Sequence, residues 1–334
     1  MKLRTFGRLG QVSALTLGGG GIGQVWGSTT REESVATVRA AVEGGIRLLD
    51  LAPSYGDGEA ERVIGDTFEG QLPAGVRVTT KCLLGRPEPD EVYSMLRESL
   101  LGSLERMRLP RVDVFILHGQ IVPDGYEQPP APAAGNTSTP AADPRRAGTP
   151  RTLFVEAVRP AFERLVAEGL TGDWGVTGIG VPRALIDVLG TRPAPAVVQC
   201  IANLLDSPGG LGRFDEPARP REVMAAAVEA GSAVMGIRAV QAGALTDALD
   251  RDLPEGHPER LDFERAEPVR AIARELGEST AALAHRYALT IAGVSTVVLG
   301  VKNRVELQDC LDAEARGPLE SELVARIDAA VGRA

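Results

Sequence analysis

Asp50, Tyr55, Lys81 and His118 are the residues whose types and positions could move a proton onto or off a reacting oxygen. Asp50 closes the apolar run 47–50, Lys81 the run 76–81 and His118 the run 113–118, while Tyr55 follows Asp50 in the loop 52–55. A phenol beside an ammonium has its ionised form favoured, so a Lys81–Tyr55 contact predicts a lowered tyrosine pKa and a usable general acid near neutral pH. Asp50 could pair with Lys81 and hold it in place, and a His118 ring could hydrogen-bond a substrate oxygen. A strand-end Lys–Asp pair alone reads as readily as structure; four such residues at successive strand ends read as a site.

Other chemistries find no support. His257 lies in a loop rich in Pro, Asp, Glu and Arg and reads as a surface residue; His285 lies in a helical pattern and reads as structural. No metal site is predicted, because the three histidines do not cluster and no His-Glu-x-x-His pattern exists. A Gly-x-Ser-x-Gly elbow and a Gly-x-x-x-x-Gly-Lys phosphate loop are both absent. The run from Gly18 to Gly23 admits a Gly-x-Gly-x-x-Gly match on Gly18, Gly20 and Gly23, a weak signal when so many βα units follow it. Cys82, Cys200 and Cys310, odd in number and widely spaced, predict free thiols in a reducing compartment.

These residues need elements to position them. Strand patterns fall at 14–17, 47–51, 76–81, 113–118, 173–177, 197–201, 233–237 and 296–300. Helical patterns fall at 32–44, 59–68, 90–107, 154–169, 182–189, 221–231, 267–276, 280–289 and 303–314, with Asp90 read as the N-cap of the third. Eight strands alternating with helices predict an α/β chain of parallel βαβ units closed into a (β/α)8 TIM barrel, with a doubly wound open sheet as the alternative. The opening, 2–14, reads as an N-terminal β-hairpin. One domain is expected over 1–334, with a Pro/Ala-rich loop insertion at 120–150, after the fourth strand, serving as a lid, an oligomer contact or neither. The 334 residues carry a formal net charge of −9, which argues against nucleic-acid and anionic-membrane partners. No signal peptide or bilayer-length apolar run is read, so a cytoplasmic protein is expected.

The residues resemble the aldo-keto reductase family over nearly the whole chain. The segment 48–58, ending Tyr55-Gly56-Asp57-Gly58, is similar to its Asp-Thr-Ala-x-x-Tyr-Gly signature, with Leu51 in place of the common Thr. Thr80-Lys81 and the run 113–118 resemble its lysine and histidine motifs, so Asp50, Tyr55, Lys81 and His118 match its catalytic tetrad. Thr177-Gly178 replaces a usual Ser-Asn pair, and with 197–205 it resembles the branch containing bacterial and plant sugar dehydrogenases.

This resemblance implies NADP(H) lying across the barrel mouth, with NAD(H) the rival, and hydride transfer between nicotinamide and an aldehyde, ketone or sugar lactol. It implies Tyr55 as general acid/base, Gly20 and Gly21 near the nicotinamide half, Thr177 and Gln199 on the carboxamide and Arg238 near the pyrophosphate. Gly300, Lys302, Asn303, Arg304 and Asp309 would surround the adenosine end, where Lys302 and Arg304 favour a 2′-phosphate and Glu306 opposes it. Loops 23–30, 119–150 and 205–219 would shape the substrate pocket, with Trp26 lining it. The expected partner is a small carbonyl or sugar; the oligomeric state is not legible. Two other readings stand beside this one: a nicotinamide-binding redox-sensing or scaffold barrel without turnover, and lyase or hydrolase chemistry in a generic barrel.

Overall fold

A computed structural model describes residues 1–129 and 142–333. The chain opens with an antiparallel hairpin, β1 (Leu3–Thr5) and β2 (Gln11–Ser13), then enters the barrel at β3 (Leu15–Gly18). There follow β4 (Leu48–Asp50), β5 (Arg77–Cys82) and β6 (Val112–Leu117). A small parallel pair, β7 (Ile121–Val122) and β8 (Thr149–Pro150), precedes β9 (Thr171–Thr177), β10 (Val197–Ile201), β11 (Ala233–Ile237) and β12 (Val294–Leu299). The eight strands β3, β4, β5, β6, β9, β10, β11 and β12 close on one another in that order, all parallel, and β12 pairs back with β3. The predicted barrel is present, and the open-sheet alternative is not.

Most helices sit where the apolar spacing placed them. Glu59–Phe68, Pro182–Leu189 and Glu267–Leu276 agree at both ends. The helix called at 90–107 begins instead at Val92, behind a turn, with Glu91 rather than Asp90 at its N-cap and no side-chain cap bond there. The pattern at 154–169 is a composite of a short helix, Arg151–Leu153, a π-turn, Phe154–Val158, and a regular helix, Arg159–Ala167. Two helices longer than a single turn among the described residues were not anticipated, Pro258–Arg265 and Ser321–Ala330, nor was the single turn Gly19–Ile22. The first has too many charges for an apolar stripe to show. The insertion 120–150 is not wholly irregular: β7 and β8 anchor its two ends. Its Pro/Ala-rich centre, 130–141, lies outside the described residues.

The hairpin stops the lower end of the barrel. Phe6 and Val12 from it are buried with Leu48, Val114, Ile116, Val197, Ala233 and Met235 of the strands. The Arg77 guanidinium lies 5.3 Å from the Phe6 ring centre, and Arg8 binds Asp173 at 2.7 and 2.8 Å, fastening the hairpin to the barrel rim. Phe6→Ala is expected to cost about 3–5 kcal/mol, because a fully buried aromatic leaves a cavity the rigid strands cannot collapse into. Denaturant unfolding measures it, and a loss below about 1 kcal/mol would mean the hairpin is not part of the core.

Candidate active site

Side chains alternate across a strand, so every second residue of a barrel strand points inward. On β5 this aims Thr79 and Lys81 into the barrel and Thr80 outward, where its hydroxyl donates to the buried Glu61 carboxylate at 2.5 Å. The β4–β5 register pairs Asp50 with Thr79. Lys81 Nζ, fully buried, donates to Asp50 Oδ2 at 2.9 Å, to the Leu51 carbonyl at 2.8 Å and to the Tyr55 hydroxyl at 3.1 Å. Asp50 Oδ1 accepts from Thr79 Oγ1 at 2.6 Å and from Gln199 Nε2, across the barrel on β10, at 2.7 Å. His118 follows β6 and stands edge-on to Tyr55, ring centres 5.7 Å apart, with Ser54 Oγ 3.4 Å from its Nδ1. The four residues expected to act together are therefore gathered at one mouth. Thr79 was missed, although its position on the same face as Lys81, one alternation earlier on the strand, was a signal that could have found it.

The electrostatics overturn one expectation. Tyr55 was predicted to have a lowered pKa, but burial pushes its phenol above the ordinary value, and the nearby Lys81 charge only partly opposes this. Burial likewise works against the Lys81 ammonium, yet Asp50 and Tyr55 outweigh it and its pKa is raised. His118 is pushed down to about 3, by burial first and then by the charges of Lys81 and Arg146. The site at neutral pH thus holds a protonated phenol, an ammonium and an uncharged imidazole. That is an acid with a fixed positive charge behind it and a neutral ring that can only hydrogen-bond.

Around this group the other predicted residues divide. Thr177 closes β9, and its hydroxyl is buried with no partner among the described residues, an orphan that a ligand amide would satisfy. Gly20 and Gly21 lie in the short turn of helix after β3, Gly19–Ile22. A Cβ on Gly20 would sit 2.4 Å from the Trp26 indole nitrogen, and one on Gly21 would sit 1.8 Å from the Val301 carbonyl oxygen. Close packing accounts for both glycines. Trp26 lies over Gly20 and also beside Gly300, so it covers the β3–β12 rim of the mouth. Loops 119–150 and 205–219 meet at the mouth, Gln120 Nε2 donating to the Leu211 carbonyl at 2.6 Å and Arg213 to that of Arg146 at 2.9 Å.

The cations expected around a dinucleotide are already paired. Arg238, largely buried, donates to Glu259 at 2.7 Å and to Gln241 at 2.9 Å, and Glu259 also accepts the Gly210 amide. Lys302 lies 3.4 Å from both Asp250 and Glu306, and Arg304 grips Glu33 with two bonds at 2.9 and 3.1 Å. Asn303 caps the helix Arg304–Arg316 through the Glu306 amide at 2.9 Å, and Asp309 is exposed on that helix. His257, expected at the surface, is instead a buried ring, its Nδ1 3.0 Å from Glu259 Oε2. His285 is buried and bonded to the Ala281 carbonyl at 2.8 Å, as a structural residue should be. No group of acidic, His or Cys side chains able to hold a metal occurs among the described residues, and no described helix is long and apolar enough to cross a membrane.

The chain is similar in sequence and fold to known proteins. A model of the Aldo/keto reductase family matches residues 14–331. An L-galactose dehydrogenase of Arabidopsis thaliana is 26% identical over 313 residues, covering 92% of this chain and 86% of that protein. A D-threo-aldose 1-dehydrogenase of a Pseudomonas species is 26% identical, covering 89% and 87%. Among solved structures, the holo form of an aldo-keto reductase from Bacillus halodurans covers 100% of this chain and 97% of its own, with a TM-score of 0.69 at 21% identity. An aldo/keto reductase from Klebsiella pneumoniae, in complex with NADP and acetate, aligns at a TM-score of 0.66 and 22% identity over 98% of this chain and 94% of its own.

His118 is expected to stay uncharged through the mildly acidic range, with its midpoint near 3. Because that lies below the ordinary value of 6.5, His118 contributes stability that is complete above about 6.5 and is lost as pH falls towards 3. Heteronuclear NMR of the three histidines checks this; a His118 midpoint near 6.5 would place the ring in water rather than in the site.

Proposed function

The chain belongs to the aldo/keto reductase family, and on that premise we propose that it interconverts a carbonyl and an alcohol, with Tyr55 passing the proton to and from the reacting oxygen. It is an NAD(P)H-dependent oxidoreductase. The observation that carries the Tyr55 assignment is the buried Lys81 ammonium bonded at once to Asp50 and to the Tyr55 hydroxyl. A bound nicotinamide would supply or accept the hydride at the carbonyl carbon. Tyr55 Oη then gives its proton to the oxygen, and Lys81 stabilises the phenolate left behind. Uncharged His118 donates a hydrogen bond to the same oxygen and so helps fix which face of the substrate is presented.

The residues fit a nicotinamide. The orphaned Thr177 hydroxyl would pair with the carboxamide, and Gln199, whose amide nitrogen is committed to Asp50, would offer its carbonyl oxygen. Lys302, Asn303 and Arg304 would lie at the adenosine end. There Glu33, Asp250 and Glu306 already balance the two cations, so a 2′-phosphate gains little over a free 2′-hydroxyl. Arg238 would reach a pyrophosphate only by leaving Glu259. For the substrate we favour a sugar lactol, since the relatives matched over most of this chain are named for L-galactose and a D-threo-aldose. A cytoplasmic location belongs to this reading and is consistent with three free, buried cysteines.

Titration with NADH and NADPH, followed by fluorescence, tests the cofactor site. NADH is expected to bind at least as tightly as NADPH, and binding of neither would sink the reading. Tyr55→Phe is expected to retain that binding and to lose about a thousand-fold or more of the wild type's oxidation of a sugar lactol, with L-galactose as the first substrate tried. Survival of turnover would remove Tyr55 from the mechanism, and cofactor binding by a wild-type protein that turns nothing over would favour a redox-sensing barrel. Because the phenol is held above its ordinary pKa, alcohol oxidation, which needs phenolate, is expected to accelerate as pH rises above neutral; a flat profile measured to pH about 10 would contradict the assignment.

A further inference from the structure

We propose that Thr79 is a positioning residue for the proton-donating group: its hydroxyl holds the Asp50 carboxylate in the orientation that keeps its other oxygen on the Lys81 ammonium, against Tyr55. The inference rests on the reading of that group given above. Asp50 is 2% exposed and Lys81 is fully buried, so the carboxylate meets almost no water and must find its donors within the protein. Its two oxygens are divided. Oδ2 takes Lys81, while Oδ1 takes the Thr79 hydroxyl at 2.6 Å and the Gln199 amide at 2.7 Å.

The division has a cause in the fold. The β4–β5 register sets Thr79 directly beside Asp50, with both side chains inside the barrel. The neighbouring Thr80 faces out and serves Glu61, so the two threonines are not interchangeable. Without the Thr79 donor, one of the two bonds that orient Oδ1 is lost, and the carboxylate is held less firmly against Lys81 as its counter-ion. Burial, which works to strip the proton from Lys81, is then opposed less strongly. The titratable groups facing Lys81 are Asp50 from β4, Tyr55 from the loop after it and His118 from the end of β6. Of these, Asp50 is the carboxylate in contact with the ammonium, so a change in Asp50 passes directly to Lys81.

The chain contains only three lysines, Lys2, Lys81 and Lys302, so side-chain ammonium signals in heteronuclear NMR report Lys81 individually, with neither substrate nor cofactor. Thr79→Val keeps the shape and removes the donor. In that variant Lys81 is expected to lose its proton about half to one pH unit lower than in the wild type. Lys2 and Lys302 should not move, and Thr79→Ser, which restores the hydroxyl, should return Lys81 to within about a quarter of a unit. If Thr79→Val does not fold by circular dichroism, Thr79→Ala against Thr79→Ser makes the same comparison. A Lys81 titration that is the same with and without the hydroxyl, including one that stays charged in every variant until the protein unfolds, overturns the proposal. So does a Ser variant displaced as far as Val or Ala, which would mean that packing and not the donor matters. Tyr55→Phe turnover decides the parent reading separately: a dead Tyr55→Phe with an unmoved Lys81 discards Thr79 alone.

Discussion

A fully buried ammonium must be balanced inside the barrel, and the upper half of the barrel is arranged around that requirement. Lys81 donates to a carboxylate, a backbone carbonyl and a phenol, so its three donor positions are filled. The carboxylate is in turn supplied by donors from the adjacent strand and from across the barrel. The lower half carries no such burden. There Phe6, Val12 and inward apolar residues of the strands pack together, and the buried Thr16 and Thr296 hydroxyls satisfy one another at 2.8 Å. The barrel is therefore a mainly apolar plug below and a hydrogen-bonded charge group above.

The same need for balance shapes the rim. Arg238, Lys302 and Arg304 each meet a carboxylate from another part of the chain. On the proposed reading, a ligand at this rim would therefore lean on groups left unmatched among the described residues, such as the Thr177 hydroxyl, more than on unbalanced positive charge. The glycine run serves packing at close quarters. Gly20 admits the Trp26 indole, and Gly21 admits the backbone at Val301, so that the β3 and β12 rims come together without a gap.

Much of this architecture could be read before any coordinates, because its causes are local. Alternation and apolar spacing are properties of neighbouring residues, and they placed eight strands within about two residues of their positions and identified the barrel. Asp50, Lys81 and His118 were legible because each ends a strand, and the fold turns strand ends into one mouth. Helices with strong apolar stripes were found, whereas Pro258–Arg265, charged on most faces, was not.

Tertiary structure alone decided the partners and the electrostatics. Thr79 reaches Asp50 from 29 residues away, Gln199 from 149, and Arg304 meets Glu33 across 271 residues. No spacing rule spans such separations, since they are set by how the sheet closes. The direction of the Tyr55 pKa was misjudged from sequence for a related reason. A neighbouring ammonium can be anticipated from a motif, but the loss of water around the phenol depends on everything that packs over it, and here burial prevails. The sequence by itself determined which residue types stand at the mouth of the barrel; the closed, dehydrated interior decided which of them are charged and what each one holds.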